Sequence, residues 1–491
     1  MMAPMSRSPW NLVVRRFALP LTVALIGAAC TDPPGAETSE TETGDGDGDG
    51  DGDGDGDGAP GDGDGAPGDG DGEGSSLTYW GDAKPIIDRS CATCHGDGGI
   101  GPFGLETWEQ VEPFALILAP SIADLSMPPW PPNADCNTYV DDRSLTLAER
   151  ELLLEWIASG YPEGDPADAA PDPTPPEPFV ADFTVTLPEP YTPTQSPDDY
   201  RCFLIPWPED LTEPVFVTGQ IAYPDQKQML HHVISFIADP EDAHIFQALD
   251  DADPASGYEC FGGPGTLDWT GRWLGNWVPG MDPWRAPAGS GIEVKPGSLL
   301  IVQMHYNTIA AAPVPDATSL GFQIVDSVER PGTFVPILDY RWVAGIEPMT
   351  IPANEADVHH QVALPRTHPL FAATLAILGV GSSEEVDVWR GTLHMHMLGT
   401  RAKLEVMRSG ASEDECVVQI DDWDFHWQGD YMLEQPIPFG GDDTMQLDCW
   451  YDNTAANQPL VNGEPKLPTT TGWGEGTFDE MCLGIVYMAR K

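Results

Sequence analysis

Short runs of apolar residues, separated by Pro and Gly turns, fill the chain from about residue 179 to its end. Residues 214–217 and 299–302 are typical of these runs, and no helical period is sustained between them. Such runs predict β-strands packed as sandwiches. The region is longer than the roughly 100 residues of one sandwich. A break near 329–332 would give two all-β, jelly-roll-like sandwiches, over 179–330 and 331–491.

A helical pattern is found before this region. Thr146 and Glu149 are spaced as a capping box, and Gly160 stands where the helix would end. Between them the apolar residues recur at helical spacing: Leu152, Leu153, Trp156 and Ile157. Residues 77–166 are therefore predicted to form a small all-α unit. The Pro-rich residues 167–178 predict a stiff linker to the sandwiches.

The first 30 residues predict an export signal. After an arginine-containing start, an apolar run extends from Phe17 to Ala29 and is too short to span a bilayer. It ends at Cys30 in a sequence that resembles a bacterial lipoprotein cleavage site, which would leave Cys30 lipidated. Cleavage by the ordinary signal peptidase is the alternative. We expect an exported lipoprotein, held in the bacterial periplasm or on the cell surface by this lipid alone.

Residues 31–76 are dominated by Gly-Asp repeats. Such a segment cannot bury apolar surface and predicts a flexible tether. A calcium-binding β-roll would need a regular apolar position, which this repeat lacks. The whole chain has 79 acidic and 22 basic residues, a formal charge of -57. This charge argues against nucleic acid or an anionic lipid surface as a partner.

Cys91, Cys94 and His95 have the spacing of a c-type haem attachment sequence. In that pattern two thiols bind the haem covalently and the histidine supplies an axial imidazole. A thioredoxin-like redox pair is the alternative, but it needs no following histidine. Met127 is the one methionine between His95 and Met229. We expect it to be the second axial ligand, which suits an electron carrier, with simple core packing as the alternative.

Two sets of metal-binding side chains follow in the sandwiches. One is an all-imidazole set and the other contains a thioether: His231, His232 and His305, then His394, His396 and Met481. These ligand types suit copper, whereas zinc more often takes cysteine or a carboxylate. We expect the all-imidazole set to pass electrons. The softer set would hold Cu(I) and meet dioxygen.

Strand geometry constrains both sets. Residues i and i+2 project from the same face, so His394 and His396 can share a metal. His231 and His232 are adjacent and would point to opposite faces of a regular strand. They can bind one metal only at a bulge or a strand end. Another adjacent pair, residues 359–360, lacks comparable surroundings and is expected on an ordinary strand.

Six further cysteines are available for the disulfides expected of an exported chain. Two pairs could each close within one sandwich: Cys202 with Cys260, and Cys449 with Cys482. Cys136 and Cys416 remain, either free or paired across domains. Sequence spacing does not prove the connectivity.

The region 179–491 resembles the copper type II, ascorbate-dependent monooxygenases, which include peptidylglycine α-hydroxylating monooxygenase and dopamine β-monooxygenase. Four pieces carry the resemblance: His231-His232, Gln303-x-His305-Tyr306, His394-x-His396-x-Leu398-Gly399 and Asp479-Glu480-Met481-Cys482. It implies two sandwiches with one copper each and an open cleft between them. The first set would be the electron-transfer site, and the second would bind dioxygen and attack a C–H bond. It also implies the two within-sandwich disulfides.

The sequence departs from this family at two positions. In the peptide-hydroxylating member, an arginine two places before the His-x-His pair and a tyrosine four places after the ligand methionine help to hold the substrate. Thr392 and Ile485 stand at those positions, and Arg390 has the wrong offset. The haem unit, foreign to the animal enzymes, resembles cytochrome c-like domains fused to bacterial redox enzymes. Haem could therefore supply electrons where ascorbate would act.

We therefore expect an exported copper monooxygenase with two copper ions and one covalently attached haem. It would use dioxygen and an electron donor to hydroxylate a small-molecule or peptide substrate. The alternative is a non-catalytic haem–copper electron-transfer or copper-binding surface protein. An adhesion module is disfavoured, since a scaffold has no need of six metal-binding side chains.

Overall fold

The computed structural model describes most of the chain beyond residue 76. The described residues are 77–96, 99, 101–169, 171, 177–260, 262–266, 270–308, 311–410, 414–425, 427–461 and 463–491. The expected export signal 1–30 with Cys30, the tether 31–76 and part of the linker 167–178 lie outside them. Among the described residues, no helix is both long and apolar enough to cross a membrane.

The N-terminal helices pack around Tyr79 and Trp156, whose side chains are fully buried. They comprise a π-helical turn at Tyr79–Ala83, α1 at Lys84–Ser90, α2 at Trp108–Val111, a 3₁₀ turn at Glu112–Phe114, α3 at Ala115–Ala123 and α4 at Leu147–Ala158. Another 3₁₀ turn, Pro166–Asp168, follows.

Helix α4 is the helix that the capping pattern predicts. The Thr146 hydroxyl accepts a hydrogen bond from the Glu149 N–H, and the Glu149 carboxylate accepts one from the Thr146 N–H. These bonds satisfy backbone donors that the first turn leaves without partners. Leu153 and Ile157 face the core beside Trp156. The prediction of this helix is confirmed.

Strands dominate the rest of the described chain. Their bounds are β1 Phe183–Thr186, β2 Asp198–Pro206, β3 Val215–Tyr223, β4 Leu230–Ala238, β5 Tyr258–Glu259, β6 Arg272–Trp277, β7 Trp284–Arg285, β8 Ser290–Val294, β9 Leu299–Asn307, β10 Ser319–Val325, β11 Arg330–Ile337, β12 Val358–Pro365, β13 Val386–His394, β14 Gly399–Met407, β15 Glu415–Ile420, β16 Asp430–Phe439, β17 Thr444–Tyr451, β18 Leu460–Val461, β19 Glu464–Pro465 and β20 Leu483–Arg490. The intervening helices are α5 Ala243–Ala252, α6 Tyr340–Val343, α7 Pro369–Ile377 and a 3₁₀ turn at Ala455–Asn457.

These strands form two sandwiches that share one long sheet. Its order is β1-β10-β3-β8-β11-β20-β13-β16, with β7 paired to β3. The sheet β5-β2-β9-β4-β6 packs against its first half, and the sheet β12-β17-β14-β15 packs against its second half. The prediction of all-β sandwiches is confirmed.

Each sandwich has its own apolar core. In the first, Val217 of the long sheet and Val302 of the facing sheet are completely or almost completely buried. In the second, Val486 of the long sheet and Leu404 of the facing sheet are likewise completely buried. Burial of one such aliphatic side chain contributes about 1.5–3 kcal/mol relative to its exposed state. The cores therefore fix which strand faces look inward.

The two sandwiches meet at a parallel strand pair. Arg330 of β11 pairs with Ser290 of β8, and Pro331 pairs with Gly291. The Ser290 hydroxyl also lies 2.9 Å from the Tyr487 hydroxyl on β20. The residues 329–332, where a break between domains is predicted, thus lie where main-chain hydrogen bonds join the two halves.

Residues 130–141, here called the strap, connect the haem-motif unit to the second sandwich. Pro132 bridges to Ile420 and Tyr139 bridges to Leu433. The Tyr139 side chain is only 4% exposed and belongs to the core of the second sandwich. The strap therefore packs against the second sandwich and not against the core of the N-terminal helices.

Three disulfides are present among the described residues. Cys202–Cys260 lies in the first sandwich and Cys449–Cys482 in the second, as expected. The third, Cys136–Cys416, joins the strap to β15. Of the two possibilities left open for these last cysteines, the structure has the pairing across domains.

Candidate metal centres

The three histidines of the first set lie together at the end of two neighbouring strands. His232 on β4 is paired with His305 on β9, and the register shifts between Leu230 and His232. His231 is the extra residue at this irregularity. Because a bulge removes the strict alternation of strand side chains, adjacent histidines can converge. Ligand atoms of His231, His232 and His305 all lie within 4.8 Å of one another.

The geometry of this set fits a metal ion. The Nδ1 atoms of His232 and His305 are 3.3 Å apart. Two nitrogens bound to one tetrahedral metal at about 2.0 Å are separated by about the same distance. Burial lowers the pKa of His232 well below its usual value and also lowers that of His305. The imidazoles are then neutral near pH 7, with lone pairs available to a metal.

Asp198 orients His305. Its Oδ1 lies 2.9 Å from His305 Nε2, so the other ring nitrogen is directed towards the histidine cluster. The Tyr200 ring stacks on the His305 ring at a centroid distance of 3.9 Å. Asp198 Oδ1 also accepts a bond of 2.8 Å from the Thr477 hydroxyl. The carboxylate behind one histidine set therefore also contacts the loop that leads to Met481.

His394 and His396 lie at the end of β13 and just beyond it, with ring centroids 5.1 Å apart. His394 Nδ1 contacts Gln428 Oε1, and His396 Nδ1 lies 3.1 Å from the Asp479 carbonyl oxygen. Each Nε2 is thereby left for a metal. Burial lowers the pKa of His394 to about 4 and that of His396 to about 3, so both imidazoles are neutral near pH 7.

Glu480 holds the loop that carries these ligands. Its Oε2 accepts a bond of 2.9 Å from the His396 N–H, and its Oε1 accepts one of 2.6 Å from the Leu398 N–H. Burial raises the pKa of Glu480 to about 8, although backbone N–H groups of Leu398, His396 and Met481 oppose that rise. Glu480 belongs to the Asp479-Glu480-Met481-Cys482 piece that carries the family resemblance, but the sequence alone indicates no role for its side chain.

Met481 is fixed from both sides. The Tyr451 hydroxyl donates a bond of 2.6 Å to the Met481 carbonyl oxygen, and Cys482 is tied to Cys449. The Met481 side chain is only 5% exposed. It lines the same cavity as His394 and His396.

One cavity of about 960 Å³ reaches both sets: its wall includes His232 of the first set and His394, His396 and Met481 of the second. The Phe425 ring lies 5.3 Å from the His231 ring and 5.9 Å from the His396 ring, between centroids. An aromatic ring thus contacts one imidazole of each set. The arrangement allows one ligand in the cavity to lie near both sets.

Residues 349–490 match the family model described as copper type II ascorbate-dependent monooxygenase, C-terminal domain. The matched region contains His394, His396 and Met481. The match supports a copper-dependent oxidoreductase that uses dioxygen and a substrate. It covers the second sandwich and not the first.

Other comparisons add no functional information. No curated protein matches the chain. Among solved structures, the infectious bursal disease virus VP2 subviral particle is 9% identical, with 65% of this chain and 75% of that chain covered and a TM-score of 0.17. The Sputnik virophage is 8% identical, with 67% and 89% covered and a TM-score of 0.18. These scores are too low to bear on fold or function.

The haem motif follows α1, outside the region that matches the family model. Cys91 and Cys94 are free thiols, whereas the other cysteines among the described residues are in disulfides. His95 Nδ1 lies 3.0 Å from the Phe103 carbonyl oxygen, which leaves Nε2 for an axial bond. These residues fit a covalently attached haem. Met127 lies partly buried beyond α3, and its role as second ligand stays a prediction.

Two other sequence candidates have partners within the fold. His359 and His360 lie on β12, as expected, and their Nε2 atoms contact Asp448 Oδ1 and the Thr350 carbonyl oxygen. Arg390 is 7% exposed and pairs with the Asp430 carboxylate at 2.9 Å. Arg390 is therefore occupied within the fold.

Proposed function

We propose that the protein is an exported two-copper monooxygenase that hydroxylates a C–H bond, with electrons supplied through its own haem. The observation that carries the proposal is the shared cavity. His232 of the all-histidine cluster lines it, together with His394, His396 and Met481 of the region that matches the family model.

The proposed roles follow from the ligand types. Copper held at the two sets would supply the redox chemistry for C–H hydroxylation by dioxygen, with R–H, O₂, two protons and two electrons giving R–OH and water. His231, His232 and His305 would hold the electron-transfer ion. His394, His396 and Met481 would hold the other ion, since a thioether favours Cu(I). The imidazoles of His232, His305, His394 and His396 are neutral near pH 7, which suits both tasks.

The position of the haem motif supports the electron route. Arg143 of the N-terminal unit pairs with Asp282, and the charges of both residues act on the Cys94 thiol. Asp282 follows Met281, which lines the cavity. A haem on Cys91 and Cys94 would therefore lie on the side of its unit that faces the first sandwich.

Export and lipidation at Cys30 are also part of the proposal. The disulfides among the described residues fit an oxidising compartment. An exported chain also meets the machinery that attaches haem to a Cys-x-x-Cys-His sequence.

The test is the iron and copper content of purified, copper-loaded protein, with His305→Ala and Met481→Ala variants. We expect one haem iron and two coppers, with one copper lost or weakened in each variant. His244→Ala, at an exposed histidine, and Met407→Ala, at the end of β14, are matched controls that should keep both.

Oxygen consumption coupled to product then separates the enzyme from the electron-transfer alternative. Haem without stoichiometric copper would overturn the monooxygenase proposal. Two coppers without any coupled oxygen consumption would favour a non-catalytic haem–copper protein.

A further inference from the structure

The cavity wall beside His394 is a continuous apolar surface. Thr392 and His394 of β13 pair with Ile485 and Leu483 of β20, and Ile485 pairs in turn with Pro336 of β11. All five residues line the cavity. Because partners in register on adjacent strands project to the same face, they form one wall. Pro336, Ile485 and Leu483 give it no polar side-chain atom.

Thr392, the hydroxyl-bearing residue of this wall, lies beside a buried ion pair. It pairs in register with Asp430 of β16, whose carboxylate pairs with Arg390 at 2.9 Å. Arg390 also donates to the Arg285 carbonyl oxygen. Arg390 is thus not available to bind a charged substrate group, and Thr392 carries no charge of its own.

The cations elsewhere in the cavity wall are also neutralised. Among the described residues, the wall has two arginines and no lysine. Arg272 pairs with Asp239 at 2.9 Å, and Arg341 pairs with Asp339 and Glu347. An anionic substrate would therefore enter the cavity without a free positive partner, and burial of an unpaired charge is costly.

The carboxyl groups of the wall offer little to a cation. Asp339 is paired with Arg341, and Glu259 accepts from the Gln195 side chain at 3.3 Å on the exposed edge. Glu475 is the remaining acid. Burial raises its pKa to about 7, which weakens it as a partner for an ammonium group. Indole rings of Trp273, Trp277 and Trp473 complete the wall.

We propose that the substrate of this cavity is an uncharged, largely apolar molecule with an aromatic or alkyl body. It would lie on the Pro336, Ile485 and Leu483 wall, with its reactive C–H bond directed at the His394, His396 and Met481 set. This inference rests on the proposed function for the reaction, but substrate binding can be tested without turnover.

The experiment is isothermal titration calorimetry of copper-loaded protein with three probes of matched size: 2-phenylethanol, 2-phenylethylammonium and 3-phenylpropanoate. We expect the neutral alcohol to bind at least about tenfold more tightly than either ion. The anion finds no free cation in the wall, and the ammonium ion finds only Glu475, which burial keeps partly protonated. Tighter binding of the anion or the ammonium ion would overturn the proposal. So would the absence of binding by all three probes.

A variant pair locates the binding. Ile485→Trp should weaken binding of the alcohol at least about tenfold by filling the wall, while Ile346→Trp, at a residue that is 72% exposed, should not. Equal binding by both variants would overturn the assignment of this wall, and the wild-type probe series stands even if Ile485→Trp does not fold. Mass spectrometry of the bound alcohol after reduction and exposure to oxygen tests hydroxylation separately. Tight neutral binding without product would contradict the proposed function and leave the substrate class supported.

Discussion

Replacement of Glu480 by alanine tests how the segments that carry His396 and Met481 are held together. The Glu480 side chain is fully buried and accepts the N–H groups of His396 and Leu398. Each buried donor that loses its acceptor costs roughly 1–3 kcal/mol. For Glu480→Ala we therefore expect the free energy of unfolding to fall by about 2–6 kcal/mol, since both bonds are lost.

The same variant should separate the two metal sets. Met481 follows Glu480 in the sequence, and the His396 N–H donates to the Glu480 carboxylate. Copper binding at the His394, His396 and Met481 set should therefore be weakened, while binding at the His231, His232 and His305 set should remain. Urea denaturation gives the free energy of unfolding, and copper content with electron paramagnetic resonance distinguishes the sites.

Two controls sharpen this measurement. Glu480→Gln should lose less, about 1–3 kcal/mol, because the amide keeps one acceptor oxygen and leaves only one of the two backbone N–H groups without an acceptor. Glu464→Ala, at an exposed position on β19, should be neutral. If Glu480→Ala unfolds at the wild-type urea concentration and keeps both coppers, the carboxyl does not hold the loop and the reasoning is wrong.

Three further outcomes are expected. Asp198→Ala should weaken copper at the all-histidine set by roughly 10–100-fold in titrations, because His305 loses its orienting carboxylate; unchanged affinity would contradict this role. In the double variant Cys136→Ser and Cys416→Ser, the free energy of unfolding measured by urea denaturation should fall by about 2–4 kcal/mol, and copper should be retained. Unchanged stability would show that the strap is held by packing alone. Burial raises the pKa of Glu475 to about 7 from 4.5, so stability should fall as the pH rises through that interval. Glu475→Gln should remove this fall, and its free energy of unfolding at pH 8 should exceed that of the wild type by roughly 3 kcal/mol at most. The same dependence of this free energy on pH in variant and wild type would refute the prediction.

The elements of this fold with local signals were predictable from sequence. The capping box gave α4, and the apolar runs with Pro and Gly turns gave the sandwiches. Two adjacent strand residues such as His231 and His232 can bind one metal only at a bulge or a strand end. The register shift before His232 is such an irregularity. In each case, the residues that carry the signal lie within a few positions of one another.

Features that depend on distant residues were not predictable. The pairing of Arg330 with Ser290, the packing of the strap on the second sandwich and the contact of Phe425 with both histidine sets have no local pattern. The same holds for Cys136–Cys416, which joins residues separated by 280 positions. The role of Glu480 emerged only once its carboxyl was placed beside the His396 and Leu398 backbone.

The parallel pairing of β8 with β11 limits how this protein could have been assembled in evolution. If the chain ended before Arg330, the edge of β8 would expose N–H and C=O groups, and such edges recruit strands from other molecules. A second half produced alone would present the complementary edge of β11. Each half alone would thus have a short open edge that the other half covers. Keeping both halves in one chain therefore favours inheritance of the two histidine sets as a pair.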